Sequence, residues 1–206
     1  MENLSNYIYD ELGYMFPDAM CELDFNNPFE LIVAVTLSAQ TTDKRVNIVT
    51  KELFKKYPRP EDLMNAEYED VKEIIKSIGL AQTKAKNIIN LSKDLVNNYN
   101  GIVPNVMEEL VKLPGVGRKT ASVVLSVGYS IPAIAVDTHV SRVSNRLGLS
   151  KSEDVLKIEN DLKNIYDIDK WVLVHHRLLF FGRYFCKAKN PMCSECKFKE
   201  FCLKDK

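Results

Sequence analysis

Apolar residues return at helical spacing along almost the whole chain. Leu4, Ile8, Leu12 and Met15 share one face before Pro17 ends the run. Residues 29–40 are so apolar that pattern alone allows a buried helix or a strand, and their length favours helix. Ser38 to Asp43 then break the apolarity, after which Val46, Val49, Leu53 and Phe54 resume the helical period. Two amphipathic helices are expected over 63–78 and 85–99, punctuated by Pro58, Pro60 and Asn100-Gly101. Val106, Leu110, Val111 and Leu113 fall on one face of a further helix. Ala121, Val123, Val124, Leu125 and Val127 build a more buried one, closed by Gly128 and Pro132. Residues 131–136 are short and contain Pro132, which favours a buried connector over a strand. Helices follow from Asp137-Thr138 to Leu147, over 153–166 and over 171–185. The expected fold class is all-α.

Between two of these helices lies Leu113-Pro114-Gly115-Val116-Gly117-Arg118-Lys119-Thr120-Ala121. Pro114 is expected to stop the first helix, and Gly115 and Gly117 to allow backbone angles that residues with a Cβ avoid. The product is a tight hairpin with free backbone N–H groups at the start of the second helix, a ready phosphate site. An ordinary αα-hairpin turn is the plain alternative. Arg118 and Lys119, directly after the glycines, favour contact with a nucleic-acid backbone. The joint at 77–84 faintly echoes this hairpin, since Gly79 precedes Ala85 as Gly115 precedes Ala121, a match too small to establish a repeat. Leu80, flanked by Gly79 and polar residues, is either a core residue or an exposed apolar wedge of the kind that unstacks bases.

A chain of 206 residues can form one large domain or two small ones with a respectable core. Its net charge is zero, so overall basicity gives no hint of a nucleic-acid partner. The distribution does. No Lys or Arg precedes Lys44, whereas eight acids lie between Glu2 and Asp43; from Lys170 onward nine Lys or Arg face three acids. A neutral protein with one basic end can still hold a phosphate backbone. The acidic N-terminus lacks a signal-peptide pattern, and the strongest apolar stretch, 31–37, is too short to cross a membrane. A soluble, cytoplasmic chain is expected.

Of five cysteines, Cys21 stands alone and is expected to be a small buried thiol. The others form Cys186-x6-Cys193-x2-Cys196-x5-Cys202, metal ligands in a reducing compartment rather than a disulfide framework. A structural zinc site usually shows two close pairs, and only Cys193 and Cys196 form one here. Four thiolates around one short loop also suit a cuboidal cluster held at its corners. Spacing leaves both open. Lys187 and Lys189 lie between the first two cysteines and, with Arg183, suit phosphate contact; ordinary surface charge is the alternative. His139 is expected to touch backbone or phosphate at a helix start rather than to shuttle protons. His175 and His176, in an apolar helix, are expected to pack.

Three separated motifs resemble the endonuclease III family of DNA base-excision enzymes: the hairpin at 113–121, Val136-Asp137-Thr138-His139, and the four terminal cysteines. They stand in the family's order, and the resemblance covers nearly the whole chain. It implies a helix-hairpin-helix glycosylase fold of two helical domains flanking a DNA cleft. One domain would comprise 1–21 and 132–206 and carry a [4Fe–4S] cluster on Cys186, Cys193, Cys196 and Cys202. The other, 22–131, would have six helices, with the helix-hairpin-helix at 106–128. The resemblance further implies that Lys119 and Asp137 are the catalytic pair. It implies that Gln40, in Leu-Ser-Ala-Gln, enters the gap left by an extruded base, and it raises the wedge role for Leu80. Gly115, Gly117, Arg118, His139, Arg183, Lys187 and Lys189 complete the expected DNA contacts. The partner would be damaged duplex DNA bearing oxidised or ring-saturated pyrimidines, bound by a monomer that needs no nucleotide cofactor.

The chemistry fits these residue types. An ordinary lysine amine is charged at neutral pH, and only the neutral amine is a nucleophile. A helix start and an adjacent cation such as Arg118 both disfavour the charge. The plain role of Asp137 is helix N-cap. A carboxylate can also stabilise an oxocarbenium-like sugar or take the proton that an attacking amine loses. Attack on the sugar C1′ expels the base, and the resulting Schiff base acidifies the next sugar carbon so that β-elimination cuts the strand on the 3′ side. Three other functions compete. A monofunctional relative of the adenine-mismatch branch would lack the hairpin lysine. A non-catalytic binding module would not require Asp137. An iron–sulfur electron carrier would not require the hairpin, and nothing here resembles a flavin or nicotinamide site.

Overall fold

The computed structural model describes residues 2 to 203, with side chains from residue 4. The described residues contain helices and coil and no strand. They divide into two compact units, Glu22–Ile131 and Met1–Cys21 with Pro132–Lys206. Helix α1 (Glu2–Met15) belongs to the second.

The unit Glu22–Ile131 is built on α2 (Pro28–Leu37). Asn27 caps it by accepting from the Glu30 N–H at 2.9 Å, and Pro28 fills a first-turn position where its missing N–H is harmless. Every residue from Phe29 to Leu37 is buried, so this helix, apolar on all sides, is the core. Each fully buried Leu, Ile or Val contributes about 1.5–3 kcal/mol relative to exposure. Around it pack α3 (Asp43–Lys56), capped by Thr42, and α6 (Ala81–Tyr99). The single helix expected over 63–78 is instead α4 (Pro60–Met64) and α5 (Tyr68–Ile74), both against α6. The break falls where Asn65 donates its side-chain amide to the Glu61 carbonyl at 2.9 Å, competing with the backbone ladder.

The hairpin's first helix also differs from expectation. Helix α7 (Met107–Leu110) ends at Leu110, before Pro114, and the chain leaves through tight turns in which Lys112 donates to Glu109 and Leu113 to Leu110. Leu110 and Leu113 are buried while Val106 and Val111 are 48% and 41% exposed, so the expected apolar face splits. Helix α8 (Arg118–Val123) continues as a π-helical turn, Val124–Gly128, and both lie on α2.

In the second unit, residues 133–136 run as buried coil into α9 (Thr138–Arg146), followed by α10 (Val155–Ile165) and α11 (Trp171–Phe180). Helix α11 packs on α1 and α9. The single helix expected over 171–185 changes to a π turn at Phe181–Phe185. That turn fits against α9 because Gly182 has no side chain: a Cβ there would stand 2.9 Å from His139 Cβ and 3.0 Å from Val143 Cγ2. His175 and His176 are buried with ring centroids 4.7 Å apart, and burial pushes the His176 pKa down to about 4. Cys21 is only half-buried. Among the described residues no helix is long and apolar enough to cross a membrane.

Candidate active site

Lys119 lies in the first turn of α8, exposed, with no hydrogen bond or ion pair among the described residues. The helix starts from Gly117, whose backbone offers no side-chain cap to the first N–H groups. The two hairpin glycines turn out to differ. Gly115 adopts φ +78, and a Cβ there would stand 2.9 Å from Asn87 Nδ2, so both backbone angle and space require glycine. Gly117 has φ −92 and nothing within 4 Å of a Cβ position. The expectation that it relieves a forbidden backbone angle is therefore wrong; what glycine leaves there is open space over the helix start, where a phosphate can approach.

Gln40 and Leu80 are both exposed, and both hold left-handed backbone at φ 55 and φ 59. Such angles cost a non-glycine residue about 1–2 kcal/mol. Leu80 is 59% exposed, which excludes the core alternative. The two tips belong to one neighbourhood: a Cβ on Gly79 would lie 3.6 Å from the Gln40 carbonyl oxygen.

In the other unit, Asp137 caps α9. Its Oδ1 accepts from the His139 N–H at 2.9 Å and the Val140 N–H at 2.8 Å, which leaves Oδ2 outside the cap. Helix α9 also reaches the cysteine loop, a contact that sequence reasoning missed. Arg142 donates to the Gly182 carbonyl at 2.7 Å and the Cys186 carbonyl at 3.2 Å, and its guanidinium lies 3.3 Å from His139 Nδ1. Burial and the like charge of Arg146 lower the Arg142 pKa, while Cys186 and Asp137 oppose the shift. Arg146 donates to Cys186 Sγ at 3.2 Å and to the Lys187 carbonyl at 2.9 Å. The one signal available was spacing: both arginines stand four apart on the helix that Asp137 starts.

The four C-terminal cysteines line one cavity of about 300 Å³, walled by Leu147, Phe181, Phe185 and Met192. Burial and the three neighbouring cysteines push the Cys196 thiol up, against a backbone bond from Phe198. Yet among the described residues no three His, Cys, Asp or Glu converge closely enough to hold a single metal ion. Arg183 is half-buried in the π turn before Cys186, and Lys187 and Lys189 are exposed on the loop that follows.

Residues 33–167 match the HhH-GPD superfamily of base excision DNA repair proteins. Endonuclease III of Bacillus subtilis (strain 168) is 56% identical over 197 residues, 95% of this chain and 90% of its own. That of Rickettsia conorii is 50% identical over 198 residues, 96% and 94% of the two chains. The chain belongs to the endonuclease III family. Its helical architecture is that family's fold. A solved structure of a trapped endonuclease III–DNA covalent intermediate, an estranged-adenine complex, matches with a TM-score of 0.95 and 51% identity, covering 98% of this chain and 96% of that one. As an endonuclease III family member the protein is a base-excision repair enzyme, a DNA glycosylase with lyase activity at abasic sites.

Proposed function

We propose that this enzyme removes oxidised or ring-saturated pyrimidines from damaged duplex DNA, with Lys119 as nucleophile and Asp137 as its proton acceptor and charge partner. One observation carries the assignment. A relative 51% identical was trapped as a covalent intermediate with DNA, so that protein supplies a nucleophile. In this chain the hairpin presents Lys119 exposed and without a competing ion pair at a helix start.

The hairpin backbone at Gly115 and Gly117, with Arg118, holds a phosphate, and His139, Arg183, Lys187 and Lys189 add contacts. Gln40 and Leu80 occupy the gap as the damaged nucleotide turns out. The Lys119 amine forms a bond to C1′ as the bond from C1′ to the base breaks; the base leaves with that electron pair and takes up a proton. Asp137, through Oδ2, stabilises the positive sugar and accepts the proton the amine loses. Ring opening gives a Schiff base, the neighbouring C2′ loses a proton, and the bond from C3′ to its phosphate oxygen breaks.

Cys186, Cys193, Cys196 and Cys202 are assigned a [4Fe–4S] cluster. Four cysteines lining one cavity, only two of them a close pair in sequence, suit a multi-iron group held at its corners. The Arg146 bond to Cys186 Sγ suits an anionic sulfur. When bound, the cluster supplies iron–thiolate bonds that fix the loop bearing Lys187 and Lys189. The enzyme acts as a monomer in the cytoplasm, at the nucleoid of a bacterial cell, with no nucleotide cofactor.

Product analysis on duplexes each carrying a different single lesion tests the substrate assignment. Base loss and 3′ incision are expected at saturated and oxidised pyrimidines. Processing confined to purine lesions would overturn it.

A further inference from the structure

The reaction leaves one buried charge without a task. Lys84, in the first turn of α6, is 4% exposed. Its ammonium donates to the Leu37 carbonyl at 2.9 Å, the Ala39 carbonyl at 2.6 Å and Thr41 Oγ1 at 3.2 Å, which uses all three protons. All three acceptors are neutral, no carboxylate among the described residues pairs with it, and burial lowers its pKa. A buried ammonium without a counter-ion is costly, so simple space-filling would favour an apolar side chain.

The charge sits where two features meet. Leu37 ends α2, and a cation there satisfies carbonyls that have no helical partner. Ala39 and Thr41 flank Gln40. Two short steps away, the Leu80 carbonyl accepts from the Lys84 backbone N–H at 3.0 Å, and Gly79 lies under the Gln40 carbonyl. One side chain therefore ties together two exposed tips, each in a left-handed conformation that non-glycine residues rarely hold unaided.

We propose that Lys84 is a positioning residue whose ammonium locks the Gln40 loop to the Leu80 turn, so that the two side chains enter the duplex as one pre-shaped wedge. This rests on the proposed roles of Gln40 and Leu80 in DNA. Ordering the tips before binding removes an entropic penalty at the moment a base is parted from its partner. The gain is largest for a paired lesion and smallest where nothing pairs with it.

Single-turnover base removal by Lys84→Met tests this on two duplexes with the same oxidised pyrimidine, opposite its pairing purine or opposite an abasic-site analogue. A loss of about tenfold is expected on the first and of about twofold or less on the second. In a Gln40→Ala, Leu80→Ala background the added loss should nearly vanish, because the groups that Lys84 positions are gone. Equal losses on the two duplexes, or a loss undiminished in that background, would overturn the proposal and leave Lys84 a packing residue. Should Lys84→Met fail to fold, Thr41→Val removes one acceptor only; the same asymmetry at about two- to threefold supports the proposal, and a symmetric or absent loss overturns it. Wild-type protein inert on both duplexes would sink the substrate assignment instead, which separates the two failures.

Discussion

The turns at 78–85 and 113–121 share a glycine six residues before an alanine, and they end as opposites. In both, a glycine precedes a fully buried alanine, Ala85 or Ala121, that seats the following helix on the core. In the second turn Gly115 takes the left-handed position, backed by Asn87, and the helix that follows presents Lys119 outward. In the first, Leu80 takes that position, its side chain goes to solvent, and the lysine of the turn, Lys84, points inward to carbonyl oxygens of the 37–41 segment. The lysines also differ in register, Lys119 standing four residues after its glycine and Lys84 five, so one turn offers an amine and the other an apolar tip. Under the proposed function the turn at 113–121 serves chemistry and phosphate, and the turn at 78–85 separates bases.

The contrast can be broken most severely at Lys119. Lys119→Gln should reduce base removal and strand cleavage by a factor on the order of 10⁴ or more while leaving the thermal midpoint unchanged, because the side chain has no partner to lose. Incision at wild-type rates would return the hairpin to plain phosphate binding. A smaller effect is expected at Asp137, where capping and chemistry can be separated. Asn caps a helix about as well as Asp, so Asp137→Asn should lower single-turnover base removal on the order of 10²-fold with little change in stability. Asp137→Ala should also lose about 1 kcal/mol in denaturant unfolding. If both variants lose activity only in proportion to stability, Asp137 is a cap and nothing more.

The hairpin glycines sharpen the comparison further. Gly115→Ala must hold φ +78 and meet the Asn87 side chain, which should cost about 2 kcal/mol or more of stability. Replacing Asn87 by Ala as well should restore the steric part of that loss. Gly117→Ala meets nothing, so stability should stay within about 0.5 kcal/mol. DNA affinity, read by titration at fixed salt, should instead fall several-fold as the methyl enters the space for phosphate. Unchanged affinity would mean that Gly117 has no part in binding.

Much of this was legible in the sequence because helical periodicity and capping signals are local. The buried α2, the Asp137 cap and the cysteine spacing all lie within short windows. What stayed hidden depends on partners distant along the chain. Lys84 carries the residue type of a surface, and its acceptors come from another helix end. Arg142 and Arg146 look like ordinary helix charges until the π turn brings the Gly182 and Cys186 carbonyls to them. The break between α4 and α5 has no Gly or Pro to announce it, only an Asn whose side chain competes with the backbone. The reason expected for Gly117 was wrong, since sequence cannot tell a glycine needed for its angle from one that only leaves open space.

The covalent step is reached most directly by reducing the enzyme with borohydride in the presence of a duplex carrying one oxidised pyrimidine, then digesting the adduct and locating the modified residue by mass spectrometry. Deoxyribose attached to the Lys119 amine, and no adduct from Lys119→Gln, is the predicted result. An adduct on another amine, or one formed undiminished without Lys119, would contradict it.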